Sequence, residues 1–424
     1  MKLKIRILII RNSVVIMFLT SDEEKILAGE QGEGKQIALS LLVDVGDFFE
    51  AEKLIEIAST HISGVSYLTG GDGLIDQLEY LVEKKCHVTV HSTLNPCGMD
   101  RNKWSDMGVT PEFAEKQFKI IQAYETMGVS ITCSCTPYDF GHLPLKNQHI
   151  AWAESSAITF ANTFFGARTN KEDALTALTA AIIGKTPYFG LHLTEWRRPQ
   201  LEVNVDFDLQ ENSDYGLLGH IVGKTFASKK YPFGAIPAFK GMKHFPRPHQ
   251  IKALGAALAS FGTHLYHIEG VTPEQELLQE LTFDDTLTVE QKDIQKVYEE
   301  FYPPDEKDLN ITVIGCPNAS LEEIAEVARE VKGKTLKSGK EFWIFTNRAQ
   351  KGIAEAVGHA DVLQEAGVKI YTDTCPEVFP YNKSRFKAVL TDSAKALHYI
   401  PAPSLNGLPT YVLPIKKCVE RFFN

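Results

Sequence analysis

The sequence predicts an α/β protein with parallel or mixed sheets, helices on both faces of those sheets, and two or more α/β units around one cleft. The first observation is that short β-rich runs, polar loops and amphipathic helical stretches alternate along the chain, as they do in α/β folds. The second is size and composition. With 44% hydrophobic and 23% charged side chains, the 424 residues can bury the cores of two or three domains.

Residues 1–16 are expected to be a leader outside the fold. They are basic and then apolar, as in a short signal peptide, but polar residues at 11–13 interrupt the apolar run and no small-residue cleavage site follows. Thr20 and Glu23 have the spacing of a helix capping box, and Met17 just before them is an alternative start.

Residues 17–282 are expected to form a large α/β domain, and an acidic stretch at 283–308 is read as a linker region. The periodicity of the large domain predicts two helices within 20–58, helices at 74–84 and 111–127, a mostly helical stretch at 151–184, and β-rich runs at 86–90 and 129–132.

The second α/β unit, residues 309–424, has the clearest pattern. Strands are predicted at 310–314, 341–345, 368–371 and 387–390, and helices at 321–331 and 349–366. Each predicted strand ends in a polar loop. Ligands of open parallel sheets bind outside the carboxyl ends of the strands, so this edge is the predicted binding edge.

Charge and cysteine content limit the partners. The net charge of −10 and the lack of a basic stretch argue against nucleic acid as a partner. No apolar run reaches the roughly 20 residues of a membrane span, so no membrane partner is expected. Seven cysteines, an odd number in a long chain, argue against a secreted disulfide scaffold and favour the reducing cytoplasm.

Three cysteines occupy equivalent positions. Cys135, Cys316 and Cys375 each follow a predicted strand, and a proline comes within two residues of each. Thiolates suit iron–sulfur clusters or zinc, and three protein ligands on a cluster would leave one iron open as a Lewis acid. The spacing fits no ferredoxin pattern, no CxxC pair supports zinc, and the alternative is three small buried hydrophobic side chains.

The identity of the first thiol is open. Cys133 lies two residues before Cys135, so both thiols would lie on one side of the predicted strand and either could be the ligand. Cys86 and Cys418 have the pattern of buried filler.

Polar groups that can hold a small anion occur in two loops, 61–67 and 92–96, which supply hydroxyls, an amide and an imidazole. Ordinary turn chemistry is the alternative for both loops. Arg168 lies in a break between helical runs and suits bidentate hydrogen bonding to an acidic group of the substrate, with a surface ion pair as the alternative.

Two further positions stand out. Glu154 lies in a stretch that is otherwise apolar and small, which suits a general acid or base, with a hydrogen-bonded structural group or simple exposure as the alternatives. Ser393 and Lys395 follow a predicted strand and suit an anion site, with a helix cap as the alternative for this segment.

Many segments together resemble the aconitase X family in order and spacing over residues 17–400. They include HISGVSY, STLNPCGMD, CSCTPY, AWAESSA, GARTN, SDYGLLG, YHIEGVTPE, GCP, TDTCP and TDSAKALHY. The chain departs from the family at Asn318, where the family has histidine after GCP, which puts an imidazole role there in doubt.

The resemblance implies α/β domains like those of aconitase, an iron–sulfur cluster and a dehydration reaction. It also implies a small swivelling domain that carries the proton-abstracting serine. Because this chain has no spare hundred or so residues for that domain, we expect a separate small subunit. The cluster is expected to be [4Fe-4S], with mononuclear iron or [2Fe-2S] as alternatives.

Two activities are implied by the family. The first choice is dehydration of (R)-5-phosphomevalonate in archaeal-type isoprenoid synthesis, and the alternative is dehydration of cis-3-hydroxy-L-proline in amino-acid catabolism. An iron–sulfur protein that senses iron through RNA, without catalysis, is the alternative of another class. A metal-binding subunit without turnover is a third.

The residues and the resemblance together predict the site. We expect Glu154 and His61 to be catalytic and Cys135, Cys316 and Cys375 to bind metal. The predicted substrate-binding residues are Ser63, Gly64, Val65, Ser66, Thr93, Asn95, Ser155, Arg168, Ser393 and Lys395.

Overall fold

A computed structural model describes residues 17–279, 281–304 and 308–424. The predicted leader, residues 1–16, lies outside the described residues. Within the described ranges, no helix is both long enough and apolar enough to cross a bilayer.

The α-helices follow in chain order: α1 (Ser21–Leu27), α2 (Glu33–Phe48), α3 (Tyr67–Glu83), α4 (Pro111–Thr126), α5 (Ser155–Phe160), α6 (Ala174–Ile183), α7 (Asn212–Phe226), α8 (Pro248–Ala259), α9 (Gln291–Glu300), α10 (Leu321–Val331), α11 (Arg348–Ala356), α12 (His359–Ala366), α13 (Ala394–Tyr399) and α14 (Ile415–Phe422). A π-helical turn covers Ala161–Phe165, and 3₁₀ turns cover Pro137–Phe140, Gly190–His192, Thr194–Arg197 and Gln275–Leu278.

The strands are β1 (Leu54–Glu56), β2 (Ser59–Ile62), β3 (His91–Leu94), β4 (Ala151–Trp152), β5 (Lys185–Pro187), β6 (Leu201–Val205), β7 (Pro237–Lys240), β8 (His267–Ile268), β9 (Asp285–Val289), β10 (Leu309–Ala319), β11 (Glu341–Thr346), β12 (Lys369–Tyr371), β13 (Ala388–Thr391) and β14 (Thr410–Val412).

The first part of the chain builds a small parallel sheet in the order β3-β2-β4. Apolar side chains of α3, α4 and α6 cover it and form one continuous core. Loops that carry polar side chains leave the carboxyl ends of these three strands, at Ser63, Asn95 and Glu154. This sheet therefore delivers predicted site residues to one edge.

The middle of the chain forms a parallel four-stranded sheet in the order β8-β7-β6-β9, covered by α7 and α8. Strand β9 pairs with β6 in register from Leu201 opposite Asp285 to Val205 opposite Val289. Residues 285–289, which the sequence analysis placed in a linker region, thus complete this sheet.

The last part of the chain is a parallel five-stranded sheet in the order β12-β11-β10-β13-β14. Helices α10, α12 and α14 bury one face of this sheet. Residues from the first part, including Met99 and Met107, pack on the other face with α13. The three sheets confirm the predicted α/β class, and the first and last sheets share a packed interface.

Three local predictions were wrong. The β-rich run predicted at 86–90 contains no strand residue, and the strand β3 begins only at His91. Residues 51–58 were predicted to be helical, but Leu54–Glu56 forms β1, because it pairs antiparallel with Lys185–Pro187 far along the chain. Residues 129–132 were predicted to be a strand, but only Ser130 makes an isolated bridge, to Thr93. In contrast, the predicted helix at 321–331 is confirmed with the same bounds, and a capping box begins it.

Candidate active site

A buried ion pair joins the carboxyl edges of the first and last sheets. Glu154 follows β4 and caps the N-terminus of α5, and Lys395 follows β13 in the first turn of α13. Lys395 Nζ donates to Glu154 Oε1 over 2.7 Å, and the two side chains are only 5% and 6% exposed. Two residues predicted separately for catalysis and for substrate binding are therefore direct partners.

The pair is charged at neutral pH. Burial alone would raise the pKa of Glu154, but the charge of Lys395, together with hydrogen bonds from Lys395, Ser156 and the Ala157 N–H, lowers this pKa to about 2. Burial opposes the charge on Lys395, yet the carboxylates of Glu154 and Glu377 raise the Lys395 pKa well above its ordinary value. The site thus contains a fixed carboxylate and a fixed ammonium group.

The three predicted thiols lie near this ion pair. Cys135, Cys316 and Cys375 are buried and free, and the Lys395 charge acts on the pKa of each. Burial raises the pKa of Cys375 to about 12, with a further contribution from Glu377. The structure therefore brings the three thiols to one place, in a setting that keeps them protonated unless a cation binds.

A second carboxylate, Glu377, was missed by sequence analysis. Its Oε1 lies 2.9 Å from Cys316 Sγ and 3.9 Å from Lys395 Nζ, and burial raises its pKa. The only signal for Glu377 in the sequence is its position two residues after Cys375.

The structure separates Cys133 from Cys135. The prediction that both lie on one side fails because this segment is not a strand, and Cys133 has a positive φ of 46°. Cys133 interacts with Cys97 and Arg101, whereas Cys135 interacts with Glu154 and Cys375. Cys135 is therefore the thiol that shares the site with the other two.

Asn318 holds the thiol loops together. Its Oδ1 accepts hydrogen bonds from Ser134 Oγ and the Cys135 N–H, and its Nδ2 donates to the Thr374 carbonyl. Its own backbone N–H donates to Cys135 Sγ over 3.1 Å. At the position where an imidazole was in doubt, the amide thus positions Cys135.

His61 lies on the first-sheet side of the same region. Burial lowers the pKa of His61 to about 4, although Glu154 and Asn95 favour its charged form. His61 Nδ1 lies 2.8 Å from Thr93 Oγ1. Among the described residues, neither buried His61 Nε2 nor buried Asn95 Oδ1 has a hydrogen bond of ordinary length and angle, although Asn95 lies near enough to the imidazole to favour its charged form.

The remaining predicted substrate-binding residues differ in how many hydrogen bonds their side chains already make within the protein. Ser66 caps α3 and donates to the Val378 carbonyl. Ser393 caps α13 and donates to the Cys316 carbonyl. Ser155 Oγ lies 3.4 Å from Glu154 Oε1. The loop after β2 also carries half-buried Ser63 and Gly64 and buried Val65, and Gly64 has a φ of 72° that favours glycine.

Arg168 is not in contact with this group. Its guanidinium donates to Asn147 Oδ1, the His192 carbonyl and Thr194 Oγ1 at 2.9–3.3 Å. Each of the three guanidinium nitrogens therefore already has an acceptor within the protein. A substrate anion would have to compete with these contacts.

The donor set at the junction fits a cluster better than a single ion. In the part of the chain that the structure describes, no three His, Cys, Asp or Glu side chains converge closely enough to hold one metal ion. Ligands of an iron–sulfur cluster bind different irons and need not converge on one point. Cys135, Cys316 and Cys375, three buried thiols whose pKa values all respond to the Lys395 charge, are the residues that would hold such a cluster.

Three family models match the chain in order: aconitase X first domain over residues 16–195, second domain over 199–299 and third domain over 309–424. The chain belongs to the aconitase X family. The models agree with the division into three sheets, and the second one includes the β9 segment.

Relatives in the aconitase X family extend over nearly the whole chain. The phosphomevalonate dehydratase large subunit of Methanothermobacter thermautotrophicus is 42% identical over 91% of this chain and 94% of that protein. The cis-3-hydroxy-L-proline dehydratase of Pseudomonas aeruginosa is 31% identical over 95% of this chain and 69% of that protein. The crystal structure of Thermococcus kodakaraensis aconitase X in its holo-form is 38% identical, covers 96% of this chain and all of that chain, and gives a TM-score of 0.87.

Proposed function

We propose that this chain is the large subunit of a hydro-lyase that dehydrates (R)-5-phosphomevalonate to trans-anhydromevalonate 5-phosphate and water. The observation that carries the proposal is the buried Glu154–Lys395 pair, held between two parallel-sheet edges beside three free thiols. Archaeal relatives named phosphomevalonate dehydratase large subunit, at 40–42% identity, support the choice of substrate.

The fixed charges suit the chemistry of dehydration. Loss of the proton next to the substrate carboxylate builds negative charge on that carboxylate, and a preorganised cation stabilises it. Lys395 supplies this cation, and Glu154 keeps it oriented and protonated. His61 is neutral near pH 7 and has a free buried nitrogen, so it can exchange a proton with the leaving hydroxyl.

Cys135, Cys316 and Cys375 would hold an iron–sulfur cluster, for which [4Fe-4S] is our choice over [2Fe-2S] or mononuclear iron. When bound, such a cluster supplies a Lewis-acidic iron for the substrate hydroxyl and carboxylate. Asn318 and Glu377 position the thiols from outside the donor set.

The substrate contacts are proposed for the groups that remain free. Asn95 and the loop of Ser63, Gly64 and Val65 line the His61 side, and Thr93 lies behind them. Ser66, Ser155 and Ser393 contact the substrate through the hydrogen-bonding capacity that their contacts within the protein do not use. Arg168 remains a proposed contact for the remote phosphate, where binding energy supports the reaction at a distance.

A separate small subunit is part of the proposal, because the archaeal relatives are named large subunits. We place the complex in the cytoplasm, since all seven cysteines are free thiols, as a reducing compartment requires. The alternative substrate, cis-3-hydroxy-L-proline, has weaker support from relatives at 30–31% identity.

The test is anaerobic co-expression of this chain with a small subunit from the same genome, followed by assay on both hydroxy acids. We expect turnover of phosphomevalonate only. Turnover of cis-3-hydroxy-L-proline alone would replace the substrate and keep the dehydratase. No turnover of either compound by the iron-loaded complex would contradict the dehydratase itself.

A further inference from the structure

A chain of three buried side chains leads away from the inner end of His61. Thr93 Oγ1 lies 2.8 Å from His61 Nδ1 and 2.9 Å from His142 Nδ1, so the hydroxyl bridges two imidazole rings. His61 and Thr93 are essentially inaccessible to solvent, and His142 is 6% exposed. Trp152 packs edge-on against both rings, with ring centroids 5.8 and 4.9 Å away, which fixes their orientation.

The hydrogen-bond donors and acceptors of His61, Thr93 and His142 allow two arrangements of their protons. Burial holds the pKa of His61 at about 4 and that of His142 at about 3, so both rings are neutral and each carries one N–H. A threonine hydroxyl has one proton. If both Nδ1 atoms donated to Thr93, its hydroxyl proton would be buried without an acceptor. If both Nδ1 atoms accepted, the single hydroxyl proton could reach only one of them. One imidazole therefore donates at Nδ1 and the other accepts, so the tautomer of one ring determines the tautomer of the other.

The Nε2 nitrogens of the two imidazole rings form the two ends of this hydrogen-bonded series. Within the described residues, Nε2 of His61 and Nε2 of His142 are both buried without a hydrogen-bond partner. The His61 end faces Asn95 and Glu154, which belong to the candidate site. The ring of His142 packs against the ring of His91, a solvent-exposed residue, with centroids 4.5 Å apart.

We infer that His61, Thr93 and His142 form a proton relay between the reacting groups and solvent at His91. The inference rests on the proposed dehydratase function. His142 and His91 are thereby positioning residues, which act on the reaction through His61.

The relay balances one proton per step. His61 gives its Nε2 proton to the leaving hydroxyl, which departs as water when the C–O bond breaks. The Thr93 proton then passes to His61 Nδ1, the His142 Nδ1 proton passes to Thr93, and solvent protonates His142 Nε2. The reverse sequence returns a proton from the site to solvent and resets both tautomers.

The first test uses kinetics of the iron-loaded complex. Thr93→Val keeps the side-chain shape without the hydroxyl, and His142→Asn keeps a hydrogen bond to Thr93 but cannot change tautomer. We expect each to lower kcat at least tenfold with KM within twofold, and Thr93→Ser to stay near wild type. Thr60→Val is the control, because Thr60 is equally buried on the same sheet and bonds only Ser92. Wild-type kcat in His142→Asn would overturn the relay.

Chemical rescue separates a relay from a packing role. His142→Gly opens space beside His91, and added imidazole should restore kcat in a saturable way. 1-Methylimidazole has a similar shape but no transferable N–H in its neutral form, so it should not restore kcat. Equal rescue by both compounds would overturn the inference.

A readout without turnover keeps the relay testable even if the proposed function fails. In the iron-free chain labelled with ¹⁵N-histidine, we expect His61 and His142 to show opposite tautomers. In Thr93→Val, both rings should adopt the Nε2–H tautomer that free histidine favours. Nε2–H on both rings of the wild-type protein would contradict the linked chain.

Discussion

Lys395 Nζ lies 2.7 Å from Glu154 Oε1 although the two residues are 241 positions apart, and both side chains are buried. This contact fixes the last sheet against the first at the point where the thiols meet. The stability of the folded chain depends on both charges being present, because a buried charge without its partner is strongly unfavourable.

Lys395→Met should therefore lower the free energy of unfolding by about 3–5 kcal/mol, since it leaves Glu154 as a buried carboxylate without its cation. Urea denaturation of the iron-free chain at pH 7 measures this loss. The double variant Glu154→Gln/Lys395→Met should lose less than the sum of the single variants.

Lys240→Met is the matched control, because Lys240 pairs with Glu202 on the middle sheet in a contact whose two side chains are both partly exposed to solvent. A surface pair of this kind contributes up to about 1 kcal/mol. Equal losses for Lys395→Met and Lys240→Met would show that the junction pair is not the strong contact proposed.

Glu172 should make stability fall as pH rises. Burial raises its pKa from 4.5 to about 7, and Thr186 is a hydrogen-bond donor to it. The folded chain holds this proton more tightly than the unfolded chain, so its contribution is complete below pH 4.5 and is lost as pH rises to about 7. Glu172→Gln should remove about 3 kcal/mol of this pH dependence. Urea midpoints from pH 4.5 to 8 measure it, with exposed Glu52→Gln unchanged from wild type.

Serine substitutions should sort the cysteines by iron content. Cys135→Ser, Cys316→Ser and Cys375→Ser should each lose bound iron after anaerobic reconstitution, because an alcohol is a poor ligand for iron in a cluster. Cys133→Ser should retain iron, since Cys133 interacts with Cys97 and Arg101 instead. Elemental analysis and visible absorbance give the readout, and Cys418→Ser is the buried control. Loss of iron in Cys133→Ser but not in Cys135→Ser would reverse the assignment.

Arg168→Lys tests the proposed phosphate contact. Lysine keeps the charge but loses the forked geometry, so KM for phosphomevalonate should rise at least tenfold while iron content stays normal. Steady-state kinetics and Tm are measured together. A lower Tm with unchanged KM would assign Arg168 to its contacts with Asn147, His192 and Thr194 alone.

Local signals in the sequence predicted much of the fold. The capping box predicted at Thr20 lies where a helix begins, because a cap depends on residues only three positions apart. Strand β1 was mistaken for a helix because its pairing with β5 lies about 130 residues along the chain. Short apolar runs do not distinguish the two structures without knowledge of the partner.

The sequence pointed to candidate site residues one at a time, but not to the contacts between them. Cys135, Cys316 and Cys375 stood out through their shared strand and proline context, and the structure brings them together. Glu377 was missed because a carboxylate in a loop is ordinarily solvated, and only the folded chain shows that it is half-buried against Cys316. The bridge between His61 and His142 is likewise a property of packing rather than of spacing.

The three thiols are contributed by segments that begin near the first third of the chain and end close to its C-terminus. A ribosome that has made only the first two sheets has produced Cys135 without either of its companions. Under the proposed ligand assignment, the cluster can be loaded only after synthesis of the last sheet is complete. Cluster assembly would then distinguish complete from truncated chains, since a chain that ends before the last sheet offers only one of the three proposed ligands.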